Sequence, residues 1–113
     1  MRTEMGKMIV VIGRIRTDAQ RREDFVRLGR VLVTASRAEP GCMYYALYED
    51  VDVDNDFVFV EEWESQDALE RHLAMPHVAA FKQAVYPTLV AAPDARFHTV
   101  ASTLDLAEVD TGP

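Results

Sequence analysis

Three histidines, one tryptophan and one cysteine make up the chain's scarce reactive side chains. Trp63, His72 and His77 fall together in WESQDALERHLAMPH, residues 63 to 77. A neutral imidazole, with an unperturbed pKa of about 6.5, can take a proton at neutral pH. An indole adds a broad ring face and one N–H donor. His72 stands three residues after Leu69 and beside Leu73, on the apolar face of a helix, and Val78, Phe81 and Val85 extend that stripe beyond His77. Each histidine alone is more ordinarily a packed residue, and the tryptophan a core residue. Together they place a base among rings.

Other chemistries fare worse. Cys42 is alone, so it forms no intramolecular disulfide or cysteine-rich metal site, and no activating motif surrounds it. The net charge of −7 repels phosphate backbones and anionic lipid, which argues against nucleic acid and membrane partners. Asp50, Asp52, Asp54 and Glu61 imitate the spacing of a calcium loop, but Asn55 replaces the turn glycine and strands flank it where helices are needed. The aromatic run NDFVFVEE imitates an RNA-binding strand, yet acids occupy the positions that grip phosphate. A metal pair from His72 and His77 is not expected. A spacing of five turns the second residue about 140° from the first on a helix, and Pro76 intervenes.

The elements that would hold these residues follow from pattern. Met8–Arg16 is a β-branched strand, and Thr17 or Asp18 caps a helix with Phe25, Leu28, Leu32 and Ala35 on one face. Pro40-Gly41 ends it. Gly41–Asp50 and Asp56–Glu64 are strands joined by a polar turn. Ser65 caps a second helix, Pro76 interrupts it, and His77–Val85 resumes in a new direction. Arg96–Leu106 is a last strand. The order βαββαβ predicts an α+β, ferredoxin-like antiparallel sheet with helices on one face, spanning residues 8–106 between tails 1–7 and 107–113. Both sheet faces are apolar. Phe57, Phe59 and Trp63 alternate with Val58 and Val60, while Tyr45 and Leu47 oppose Tyr44, Ala46 and Tyr48. Helices cover one face only, so the other is expected to pack against a second copy as a homodimer. The apolar run Met8–Ile12 is too short for a signal core or membrane span, and the chain reads as cytoplasmic.

The pattern EPGCMYYALYED, then FVFVEEW, then ES..AL..HL..PH...F resembles the antibiotic-biosynthesis monooxygenase superfamily, particularly its small quinol-monooxygenase-like members. The resemblance runs over residues 8 to about 106. It implies a dimeric α+β barrel, with a pocket between sheet and helices. It further implies oxidation of a quinol or related electron-rich polycyclic phenol by O₂, with no metal or flavin cofactor. On that resemblance, His72 is the base or oxyanion partner, Trp63 orients the ring, and His77 is a second catalytic candidate. Tyr45, Phe59 and Phe81 line the cleft around a small aromatic substrate. Where the haem-degrading branch carries a tryptophan and a ligating histidine, this chain has His72 and Lys82, so haem degradation is disfavoured.

Two alternatives stand beside this reading. An isomerase of a small phosphorylated dione shares the fold and the His…Pro-His pattern, and it would need arginine or lysine in the cleft. A non-catalytic, ligand-binding dimer is the third, favoured by an interior with no cavity near His72. Strand register decides whether Tyr45, or Tyr44 and Tyr48, face Trp63.

Overall fold

A computed structural model describes residues 7–110 and residue 112. Four strands, β1 (Ile9–Arg16), β2 (Cys42–Glu49), β3 (Asp56–Trp63) and β4 (Asp94–Thr99), form one antiparallel sheet in the order β2-β3-β1-β4. Helices α1 (Arg22–Arg37), α2 (Gln66–Leu73) and α3 (Pro76–Val85) connect them, and a short turn of helix, α4 (Leu106–Val109), follows β4. This is the ferredoxin-like α+β arrangement the sequence predicts.

Local chemistry sets the boundaries. Asp18 accepts from the Gln20 N–H ahead of α1, and Ser65 accepts from the Ala68 N–H at the start of α2. Pro76 occupies the first turn of α3, where its missing N–H costs nothing, so it opens a new helix rather than bending one. Gly41 turns the chain at φ +85°, and a Cβ there would stand 2.6 Å from that of Ala68. Only glycine lets the turn before β2 pass this close to α2.

The acidic run between β2 and β3 is a hairpin turn. Asp50 Oδ1 accepts from the backbone N–H groups of Asp52 and Val53, and Asn55 takes the left-handed conformation at φ 65°. The fourth counterfeit ligand, Glu61, lies buried near the far end of β3.

Phe57, Phe59, Glu61 and Trp63 alternate inward along β3, and Ile9, Val11 and Ile15 do so along β1. Phe25 of α1 meets Phe57 at 4.6 Å between ring centroids, and Phe81 of α3 stands edge-on to Phe59 at 5.6 Å. On the outer face Tyr44 and Tyr48 of edge strand β2 are exposed, with Val58 and Val60 of β3 and Val10 and Ile12 of β1 half-buried beside them.

One strand boundary needs adjustment, and one register left open in the sequence is decided in favour of Tyr45. The last strand ends at Thr99 rather than Leu106, because residues beyond it find no neighbouring strand and α4 begins at Leu106. Register across β2 shifts between Cys42 and Tyr44: Cys42 pairs with Trp63, Tyr44 with Glu62 and Tyr45 with Glu61. That irregularity turns Tyr45 inward, 6.2 Å from Trp63 between centroids, and leaves Tyr44 and Tyr48 outside. The first six residues, most of the expected amino-terminal tail, lie outside the described residues.

Candidate active site

A cavity of about 140 Å³ lies between the sheet and the α2–α3 pair. Its walls are mainly apolar, from Val11 and Ile15 of β1, Phe59 of β3 and Phe81 of α3. Gly13 leaves room where a larger inward residue would fill the space. Three polar side chains converge at one end: Tyr45, Glu61 and His72. Leu73 and Phe97, both about half exposed, stand at the open side.

His72 packs against two aromatic rings and is held at one nitrogen. Its ring lies 4.5 Å from that of Trp63, tilted by 32°, while Tyr45 meets it edge-on at 5.4 Å. Its Nδ1 donates to Glu39 Oε2 at 2.8 Å, with both groups buried. A carboxylate only accepts, so Nδ1 carries the proton and Nε2 keeps its lone pair. That lone pair points toward Glu61, whose Oε1 is 3.8 Å away, beyond direct hydrogen-bond reach. Burial holds the imidazole pKa below its ordinary value, against the opposing pull of Glu39. The result is a neutral base with a fixed tautomer, oriented by a carboxylate as in catalytic triads.

Glu61 is the second titratable group of the cavity. Burial pushes its carboxyl up to about 7, against hydrogen bonds from Trp63 and Tyr45 that favour the ionised form; the charge of Glu39 adds to the rise. The Trp63 N–H donates to Glu61 Oε1 at 2.9 Å. Burial and the neighbouring Glu61 charge raise the Tyr45 hydroxyl, which stays protonated and donates to Glu61.

The six residues singled out in the sequence therefore divide. His72, Tyr45, Phe59 and Phe81 line the cavity. Trp63 is fully buried behind the His72 ring and spends its N–H on Glu61. His77 lies on the other side of Glu39, donating from Nε2 to the same Oε2 at 2.6 Å. The helical-spacing argument that kept His72 and His77 apart fails here. It assumes one continuous helix, whereas the break at Pro76 re-aims α3 and brings both imidazoles onto one oxygen. Among the described residues, Glu39, His72 and His77 are the group whose donor atoms cluster as metal ligands do, within 4.8 Å of one another.

Glu39 and Glu61 are functional candidates that the sequence reading passed over. Glu61 had a signal: it occupies an inward position between Phe59 and Trp63, where alternation calls for an apolar residue. Glu39 had a weaker one, as an acid in a helix-ending turn beside Pro40-Gly41. Cys42 remains inert, its thiol pKa raised by burial and by the charges of Glu39 and Glu61.

Sheet, helices and the pocket between them define a ferredoxin-like α+β domain with an apolar cleft and an oriented base. Residues 8–84 match the family model described as "Antibiotic biosynthesis monooxygenase", and the chain belongs to that family. A Synechocystis protein described as uncharacterized, sll1783, is 36% identical over 99 residues, covering 87% of this chain and 67% of that one. The Bacillus subtilis protein named "Putative monooxygenase YcnE" is 36% identical over 74 residues, 66% of this chain and 78% of that one. The solved structure of Rv0793 from Mycobacterium tuberculosis superposes with a TM-score of 0.77 at 29% identity, covering 88% of this chain and 98% of its own. No helix among the described residues is long and apolar enough to cross a membrane.

Proposed function

We propose that the protein is a cofactor-independent monooxygenase that oxidises a hydroquinone or related electron-rich phenol with O₂. The observation that carries this reading is the neutral His72, its Nε2 lone pair turned into an apolar cavity and its Nδ1 held by buried Glu39.

His72 Nε2 takes the phenolic proton, and the imidazolium that forms is stabilised across Nδ1–H by Glu39. The phenolate gives one electron to O₂. Ring radical and superoxide then combine at a ring carbon, and the hydroperoxide loses water to leave a carbonyl. For a simple hydroquinone the balance is hydroquinone plus O₂ to hydroxyquinone plus water. The substrate supplies every electron, so no external reductant enters. The apolar walls keep water from competing for the developing oxyanion.

Cavity size narrows the substrate. An apolar cavity of about 150 Å³ holds one benzene-sized ring, and this one measures about 140 Å³. The reacting ring is therefore single. Any further ring of a polycyclic phenol extends past Leu73 and Phe97 toward solvent. The apolar outer face of the sheet supports a homodimer packed sheet against sheet, with Val58 and Val60 of β3 and Val10 and Ile12 of β1 near the middle of the face and Tyr44 and Tyr48 on its β2 edge.

One observation favours the isomerase reading. Lys82 borders the cavity and is near enough for its charge to act on His72, so one cation is available for an anionic substituent. Arg14 also borders the cavity, but strand alternation sends its side chain to the other face, opposite Val11 and Gly13. A single lysine is a thin phosphate site, and the phenol reading is stronger.

The experiment is isotopic. Metal-stripped protein, given ¹⁸O₂ and substituted hydroquinones, is expected to yield hydroxyquinone carrying one ¹⁸O. Proton exchange into a phosphorylated diketone without oxygen consumption would replace this reading with the isomerase.

A further inference from the structure

Beyond the cavity, on the opposite edge of the His72 ring, three side chains from three elements meet. Glu39 comes from the turn between α1 and β2, His72 from α2, and His77 from the first turn of α3. We propose that Glu39, His72 and His77 form a binding site for a divalent transition metal of the zinc class, which replaces the hydrogen bonds that otherwise join them.

The donor set selects the metal. Two imidazole nitrogens and one carboxylate oxygen, with a fourth position left to water, suit Zn²⁺ or Co²⁺. Ca²⁺ and Mg²⁺ call for oxygen ligands throughout. The atoms already point at one place: Glu39 Oε2 is 2.8 Å from His72 Nδ1 and 2.6 Å from His77 Nε2. Ligands of a tetrahedral ion at 2.0–2.1 Å stand about 3.4 Å apart, so the oxygen must withdraw by roughly 0.7 Å. Glu39 sits in a turn rather than a helix, where that movement is easiest.

The surroundings also fit. A ligating histidine needs an acceptor at its other nitrogen, and Glu61 Oε1, 3.8 Å from His72 Nε2, must close by several tenths of an ångström to serve as one. The His77 side chain is 23% exposed, which gives an ion a way in from solvent. Neither Glu39 nor His77 lines the cavity, so a bound ion would stand behind His72, away from the substrate.

Occupation has a defined consequence at His72. The ion takes the Nδ1 lone pair, and the ring proton moves to Nε2 with no change in the charge of the imidazole. Nε2 then presents N–H to Glu61 and the cavity where it had presented a lone pair. If His72 is the base of the proposed oxygenation, metal binding and base function exclude one another at the same ring.

The test uses the untagged, metal-stripped full chain. Titration with Co²⁺ is expected to give the visible absorption of a four-coordinate ion at one per chain, displaced by Zn²⁺. His77→Ala and Glu39→Gln are expected to weaken binding beyond the roughly 10–100-fold that loss of a merely supporting neighbour costs. His98→Ala, on the exposed strand β4, is expected to leave it unchanged. In ¹⁵N spectra of labelled histidine, Zn²⁺ is expected to convert His72 from the Nδ1–H to the Nε2–H form. No Co²⁺ absorption in the wild type, or one-to-one binding that survives both His77→Ala and Glu39→Gln, would overturn the site. Both readouts are independent of oxygen uptake, so failure of the oxygenase reading and failure of the metal site are told apart.

Discussion

Glu61→Gln is expected to make the protein more stable, increasingly so as pH rises. Glu61 titrates at 4.5 when unperturbed and at about 7 when folded, chiefly because burial penalises its charged form. Between those values the folded chain holds a proton that the unfolded chain has released. Stability from this group is therefore fully present below pH 4.5 and is lost as pH rises through 7. At 1.36 kcal/mol per pH unit of separation the loss is about 3 kcal/mol, a large share of a small domain's stability. Glutamine keeps the shape, still accepts from the Trp63 N–H, and carries no charge to bury. His72 works in the opposite sense. Its folded pKa lies below 6.5, so its contribution grows as pH rises, and the wild-type profile alone mixes the two. The difference between wild type and Glu61→Gln isolates the carboxyl. Urea unfolding at intervals from pH 4.5 to 8.5 is expected to show that difference opening across pH 5–7 and then levelling near 3 kcal/mol. A difference that stays flat with pH would refute a buried, raised carboxyl at Glu61.

Other outcomes follow from the same geometry. Gly41→Ala meets both a φ of +85° and a 2.6 Å approach to Ala68, so a loss of about 2 kcal/mol or more is expected in thermal or urea unfolding. If the proposed dimer packs sheet against sheet, Val58→Lys, on the outer face of β3, is expected to give monomers in analytical ultracentrifugation at micromolar concentration, and the wild type a dimer. Glu39→Gln removes the charge that stabilises the His72 imidazolium. A fall in kcat of about a hundredfold, with little change in KM, is expected in steady-state assays on a hydroquinone.

The fold was readable because its signals are local. Asp18, Ser65 and Pro76 mark helix starts by their own chemistry, and the alternation from Phe57 to Trp63 marks a half-buried strand by period alone. The register of β2 was not readable. The shift between Cys42 and Tyr44 decides which tyrosine faces His72, and a bulge at Met43 leaves no composition signature. The meeting of Glu39, His72 and His77 was hidden for a related reason. Glu39 meets His72 across 33 residues, and its partner His77 reaches the same oxygen only because α3 leaves Pro76 at a new angle. Helical spacing describes a continuous helix and says nothing across a break. The inward Glu61 was visible in principle, as the one acid in a buried apolar row.

The most direct test of the central claim is oxygen uptake on a single-ring hydroquinone by metal-stripped protein, comparing wild type with His72→Gln. Glutamine approximates the ring's reach but cannot take a proton at neutral pH. The account predicts uptake by the wild type without added metal or flavin, and a loss in kcat of about 10²–10⁴-fold in the variant. Undiminished uptake by His72→Gln would contradict it.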